Sequence, residues 1–558
     1  MNTKRFSSNS QAQIAKLCIF HPPRLAFWAA SLALLLTFNL DTAWLHAQTW
    51  TGATSGNFGT STNWSSTPGF TSTTDLIFDA TSANSTTASP SFLGAARTIR
   101  SITFGADADT DFMTLLATTS ADSTAANLQM GSNSINASIV VDPGATGNFQ
   151  LGGNSTGTVR LDGNLLVDHN GSGNLTIKGI STQGAAQVRY ITKNGSGTLV
   201  LGSGTNVLNL YQGGLILNTG TVVARQYSDI LGEGTATLTL NGGVLKFSNA
   251  SGLSFGRNTT VAGETKIITS NSGGGAGLNY TLGALSIGSN TLSVDGQDFA
   301  SGTGQVTFGA TTLTGNAIVN VAKPTSGTGN TNLNLGAVGD GGSGYGITKN
   351  GNGSLTINGT STFTGKTIVN AGTLVIGVAG AINSSSSVSV ASGATLSNNN
   401  TLTALSSALI LNPSASLSGS GAFAPVAMTL VADLTGGNGS FSSINAGTTS
   451  LTKSGGMEFT LSNMTDGSYV VFSGSALSGS FSSVTVGGVA LSDLGSGNFG
   501  GTVGGFDYAF TNSTNTLGIT TVPEPTTWML VGLGGVLLIF RVLKSRQASA
   551  SEASASRV

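Results

Sequence analysis

"ITKNGNGSLTINGTSTFTGKTIVNAGTLVIG", Ile347 to Gly377, decides the fold of this chain. Within it, "SLTING" sets Leu355 and Ile357 on either side of Thr356. Alternation of period two makes a strand with one buried and one wet face. Leu355 and Ile357 are therefore expected to point inward and Thr356 outward. Gly359 follows two places after the second aliphatic, where it supplies a sharp corner or a positive φ that other residues resist. The same formula returns in "NLTIKG" (Asn174 to Gly179), "TLTLNG" (Thr237 to Gly242) and "TLSVDG" (Thr291 to Gly296).

The whole unit also recurs. "ITKNGSGTLVLGSGTNVLNLYQGGLILNTGTVV" begins at Ile191, and a weaker copy, "LTKSGGMEFTLSNMTDGSYVVF", begins at Leu451. Each reads as strand, turn, strand, glycine corner, strand. One such rung cannot bury its inner face, whereas a stack buries a continuous Leu/Ile/Val column. Corner Asn and Thr side chains are placed to ladder from rung to rung. The expectation is an all-β chain folded as a right-handed parallel β-helix, a solenoid of about 20 rungs about 4.8 Å apart. Tandem β-sandwiches are the alternative; a propeller ranks lower because no fixed blade period appears.

Composition agrees. Of 558 residues only 8% are charged, while 81 are Gly and 39% are hydrophobic. A disordered Gly/Ser/Thr-rich chain would not place its apolar residues so regularly. A net charge of −1 gives no electrostatic case for a nucleic-acid partner. The single cysteine, Cys18, lies near the N-terminus, so beyond it no disulfide and no thiolate ligand is available.

Both ends of the chain are hydrophobic, for different reasons. Lys4, Arg5, Lys16 and Arg24 precede the apolar run Leu25 to Phe38, and "AWLHAQ" gives a small-residue exit. That is the build of a secretory signal peptide, residues 1–47, cut by signal peptidase between Ala47 and Gln48. At the other end, Pro523, Glu524 and Pro525 open "VPEPTTWMLVGLGGVLLIFRVLKSRQ". The prolines hold an extended peptide outside the helix that follows. Thr526 to Phe540 would make about 22 Å of helix, short for a bilayer core of about 30 Å. Arg541, Lys544 and Arg546 form a basic cluster that stops transfer and snorkels. A single C-terminal transmembrane helix, anchoring the protein in transit, is therefore expected over Thr526 to Phe540 within the segment 522–547, followed by a disordered tail at 548–558.

The units at Ile191 and Ile347 resemble the autotransporter-associated β-strand repeat of bacterial secreted proteins. "WTGATSGNFGTSTNWSSTPGFTSTTDLIFD" (Trp50 to Asp79), followed by "ARTIRSITFG" (Ala96 to Gly105), is similar to the segment that opens such passengers. No room is left after Thr521 for the membrane barrel of a self-translocating autotransporter. Instead Val522 to Gln547 resembles the PEP-CTERM sorting signal, which implies processing by the membrane-embedded peptidase exosortase. The tail "ASASEASASRV" departs from the short endings of most such tags. On this reading residues 48–430 are the β-helical passenger and 431–521 its degenerate terminal rungs or cap.

Candidate chemistry is sparse. Asp107, Asp109 and Asp111 alternate as in calcium loops, but Phe112 and Thr118 stand where an EF-hand needs Gly and Glu. "GGSGYG" at Gly341 begins like a calcium-binding nonapeptide, yet Gly346 occupies the Asp position. "GNSTG" around Ser155 matches a nucleophile elbow without the helix that must follow. His169, the one histidine beyond the cleavage site, follows Asp168 in a turn-like "DHNG". Lys246, Arg257 and Lys266 are the densest basic spacing, and no acid cluster is expected opposite them. No catalytic residue, metal ligand or cofactor is assigned. The expected function is an exported, noncatalytic, structural or adhesive protein of the cell envelope or extracellular biofilm matrix, with exopolysaccharide as a candidate partner. The alternative is a β-helical polysaccharide lyase or glycoside hydrolase.

Overall fold

In the strand Ser354–Ile357, Leu355 and Ile357 are fully buried and Thr356 is half-exposed, the expected alternation. This strand belongs to a computed structural model that describes residues 47–51, 60–79, 91–92, 95–108, 113–116, 128–152, 158–182, 187–202, 210–324 and 327–522. Contacts divide the chain into Met1–Ala47 and Gln48–Val558, and the second unit carries the fold. It is a parallel β-solenoid of about 15 turns. Among the described residues the single helical piece is a 3-10 turn, Ser61–Asn63. None of the described helices is long and apolar enough to cross a membrane.

Three long parallel ladders make up the solenoid. The first runs through twelve strands from Ala47–Thr49 to Val338–Gly339. The second runs from Ser91–Phe92 through Asn174–Ile177 and Ile347–Asn350 to Ser483–Val486. The third has ten strands, from Leu253–Ser254 to Phe472–Gly474. A four-stranded ladder, Arg97–Ile99 to Ile180–Thr182, pairs strands of the early turns. Register stacks like on like, with Leu355 opposite Leu374, then Leu396, then Leu417. Each fully buried aliphatic in such a column contributes about 1.5–3 kcal/mol of burial free energy. Turns vary from 19 residues, between Leu355 and Leu374, to 37, between Ile102 and Ile139. Those lengths explain why the turns number fewer than the expected 20.

The two clear copies of the repeat do not occupy the same sides. In the first, Tyr190–Asn194 lies in the first ladder and Thr198–Leu201 in the second. In the other, Ile347–Asn350 lies in the second ladder and Ser354–Ile357 in the third. The motif has advanced by one face. Equivalent inner surfaces permit this, because each face presents the same aliphatic column.

Both ends of the stack are closed by aromatic residues. Trp50 and Trp64 meet edge-on at 5.0 Å, Trp64 touches Phe78, and Phe78, Phe104 and Phe149 stack in series. At the far end the pattern changes from parallel to antiparallel. Gly467–Val470, Thr516–Thr521, Phe506–Thr511, Asn498–Val503 and Ser492–Gly495 form a five-stranded sheet in that order. Its Phe510 packs on Phe459 and Phe481, extending the core past the last parallel strand. A capped end leaves no long parallel edge open to another chain.

Candidate functional site

The chemically distinctive groups of this solenoid lie at its corners. Lys193 and Lys349 hold the same place in the two "ITKNG" units, and both side chains are fully buried. Lys349 Nζ donates to the carbonyls of Asn350, Gly351 and Ala371 at 2.9, 2.7 and 3.1 Å. Lys193 Nζ does the same to Asn194, Gly195 and Thr219. Three acceptors match the three donors of an ammonium. Each lysine thereby ties its own corner to the corner of the next turn. Burial pushes both lysines down to about 8, with Asp168 opposing the shift at Lys193. Lys453, in the weaker copy, is also buried but donates to Asn512 O and Asn515 Oδ1 of the terminal sheet. The lysine of the motif is a corner clip, and in its last use it fastens the cap.

Asparagines reinforce the same corners. Asn241 Nδ2 donates to Asn218 Oδ1, and Asn218 Nδ2 to Asn194 Oδ1, each at 2.7 Å. Asn370 and Asn350 repeat the contact at 2.8 Å. These are the rung-to-rung ladders expected from the sequence. Gly195 and Gly351, in the bend after Asn, take φ of +76° and +77°, a conformation that favours glycine. Gly359 has a different reason to be glycine. A Cβ there would lie 2.5 Å from Ala337 N of the preceding turn.

Several readings of the sequence change once neighbouring turns are seen. Asp168 and His169 end the strand Leu165–His169 rather than forming a turn, which begins after Asn170. His169 is fully buried; burial and the Lys193 charge lower its pKa to about 4, against an opposing contact with the Gly173 backbone. Lys246 and Lys266 do face acids, which arrive from later turns. Lys246 pairs with Asp298 at 2.8 Å and Lys266 with Asp295 at 2.7 Å. Arg257 donates to the carbonyls of Phe255 and Gly234. Hydrogen bonds from Lys246 and Ser270 hold the Asp298 carboxyl below its ordinary range.

The loop at Gly341 folds around a carboxylate. Asp340 accepts from the backbone N–H groups of Gly342, Gly344, Tyr345 and Thr364 and from Thr364 Oγ1. Burial raises its pKa, but the hydrogen bonds from Gly342, Thr364 and Gly344 outweigh that and bring it down to about 2. Five donors on one carboxylate use the lone pairs a cation would need. Asp109, Asp111 and the "GNSTG" around Ser155 lie outside the described residues, and Asp107 is exposed. Among the described residues no three His, Cys, Asp or Glu side chains converge.

The proposed cleavage pair Ala47 and Gln48 falls in the first strand, Ala47–Thr49. Trp50 N then donates to Ile77 O, and Thr51 N to Asn63 O. At the other end, Thr521 N and Oγ1 both donate to Asp466 Oδ1 at 2.6 Å, and Val522 N donates to Gly505 O. The chain is thus bonded to the cap up to the residue before Pro523. Pro523, Glu524, Pro525, Arg541, Lys544 and Arg546 lie outside the described residues.

Residues 191–224 and 347–376 match the family described as Passenger-associated-transport-repeat, and residues 521–546 match the PEP-CTERM protein-sorting motif. The chain carries passenger repeats and a PEP-CTERM sorting signal. These are the units that hold the buried Lys193 and Lys349 corners, and the tag that follows the capped end. The PEP-CTERM signal and the passenger repeats mark an exported bacterial surface protein handled by an exosortase. No curated protein and no solved structure matches the chain.

Proposed function

We propose that this PEP-CTERM protein is a noncatalytic structural or adhesive component of the bacterial surface or its extracellular matrix. The observation that carries the reading is the abrupt junction at Val522, where a sealed solenoid hands over directly to a sorting tag. The state of the carboxylates supports it. Asp75 pairs with Arg100, Asp162 with Arg160, Asp295 with Lys266 and Asp298 with Lys246, while Asp340 holds a loop. Paired carboxylates of this kind serve the architecture rather than acid–base turnover. The N-terminal segment acts as a cleaved signal peptide, and the C-terminal helix as a temporary membrane anchor. Exopolysaccharide is the partner we assign to the exposed faces.

Replacing Pro523-Glu524-Pro525 with three alanines extends the helix outward and hides the recognition peptide. The variant is expected to accumulate in the inner membrane with its tail intact. Mass spectrometry of the wild-type surface protein checks the same point. A C-terminal peptide that still contains Trp528 to Gln547 would make the segment a permanent anchor. Incubation of the purified protein with uronate and neutral polysaccharides, with and without calcium, should release no oligosaccharide. Release would instead favour the lyase or hydrolase reading.

A further inference from the structure

The third ladder differs from the others in what it shows to solvent. None of its ten strands contains a charged residue. The first ladder displays Asp168, and the second Lys246, Lys266, Asp295 and Glu458. On the third, outward positions form two parallel columns of uncharged hydrogen-bonding groups. Over three successive turns these are Gln305, Asn332 and Ser354 in one column and Thr307, Asn334 and Thr356 in the other. The same register continues to Ser416 and Ser418, interrupted by Val375.

The array is held in place by its own contacts. Asn332 Nδ2 donates to Gln305 Oε1 at 2.9 Å, and Thr356 Oγ1 donates to Asn332 Oδ1 at 3.0 Å. Gln305 Nε2 also donates to Thr307 Oγ1 at 2.9 Å. These bonds tie neighbouring side chains to one another, so less rotamer freedom remains to be lost on binding. Each amide oxygen and hydroxyl keeps further hydrogen-bonding capacity. The repeat is that of neighbouring strands, about 4.8 Å.

We infer that this face is a docking surface for an uncharged, hydroxyl-rich polysaccharide. An anionic polymer finds no cation on these strands. A protein partner would need aromatic or apolar anchors, and the described outward side chains supply none larger than Val375. A neutral glycan presents hydroxyls along both edges at a repeat close to the strand spacing. Single contacts of this type are weak, and repetition over successive turns makes them additive through effective concentration. The assignment rests on the matrix reading above and names its ligand class.

The test is retention of the purified full-length protein on cellulose, as the uncharged probe, and on alginate beads, as the anionic one, at low and high salt. The wild type should be retained on cellulose equally at both salt levels, since no ion pair is screened. The double variant Asn332→Asp, Thr356→Glu should lose about tenfold or more of that affinity. The matched pair Thr239→Glu, Thr260→Glu on the first ladder should retain it, with unchanged circular dichroism in both variants. Equal retention of all three proteins on cellulose, or retention on alginate that high salt abolishes, overturns the assignment. Fractionation separates this from failure of the broader reading. Wild-type protein found in the surface or matrix fraction without cellulose binding sinks only the face; wild-type protein absent from both fractions sinks the surface role itself.

Discussion

Lys349 shows how a charged residue of the repeat becomes an interior strut. In sequence Lys349 is one more polar residue of an "ITKNG" unit, yet its ammonium is enclosed by three carbonyls from two turns. Lys349→Met removes all three donors and should destabilise that corner by about 1–3 kcal/mol near pH 7. Because stacked arrays need not unfold all at once, amide exchange at residues 349–372 is the suitable measurement. The pH response has a definite sign. The folded pKa of about 8 lies below the unfolded value near 10.4. Between them the unfolded chain holds the extra proton, so wild-type stability rises with pH by up to about 1.4 kcal/mol per unit. Lys349→Met should lack that share of the rise. His169 acts at the acid end. Its folded pKa of about 4 lies below the unfolded 6.5. Stability is therefore lost as pH falls from about 6.5 toward 4. His169→Leu should flatten the melting temperature across that window, and an unchanged acid slope would remove His169 from the account.

Strands and their inward residues were legible in the chain because period-two alternation is a local signal. The Asn ladders were legible for the same reason, since corner residues stand at fixed offsets from the strands. Cross-turn relations without such a repeat were not. Asp298 lies more than 50 residues from Lys246, and nothing local connects them. Gly359 is a sharper case, because its two available explanations look alike in sequence. The structure assigns it to close approach of a neighbouring turn alone, whereas Gly351 combines a close approach with a positive φ. Gly359→Ala should therefore push the turn at Ala337 outward, and hydrogen exchange near residues 337 and 359 should increase. Gly341→Ala sits in open space at φ +61°, so its effect should be confined to local backbone strain.

At the level of the molecule, the cleavage point proposed for the leader falls in the first strand, Ala47–Thr49. On that proposal a cut after Ala47 would leave Gln48 and Thr49 to pair and Trp50 to seal the core. N-terminal sequencing of the exported protein should therefore begin at Gln48 or within a few residues of it. A start beyond Trp50 would open the aromatic end, and recovery from Met1 would show that no cut occurs. The turn count was less legible than the fold, since loops between strands vary without altering the stack.

The advance of the repeat by one face, between its copies at Ile191 and Ile347, bears on how such chains are inherited. A DNA segment encoding this unit does not need to be inserted at a particular azimuth to be accepted. It requires only a corner with a free carbonyl cluster for its lysine and an aliphatic column on either side. Duplication and loss can then lengthen or shorten the chain while natural selection acts on the outward residues alone. Kinship between two copies therefore predicts their bends and buried contacts, and says little about which way their surfaces look.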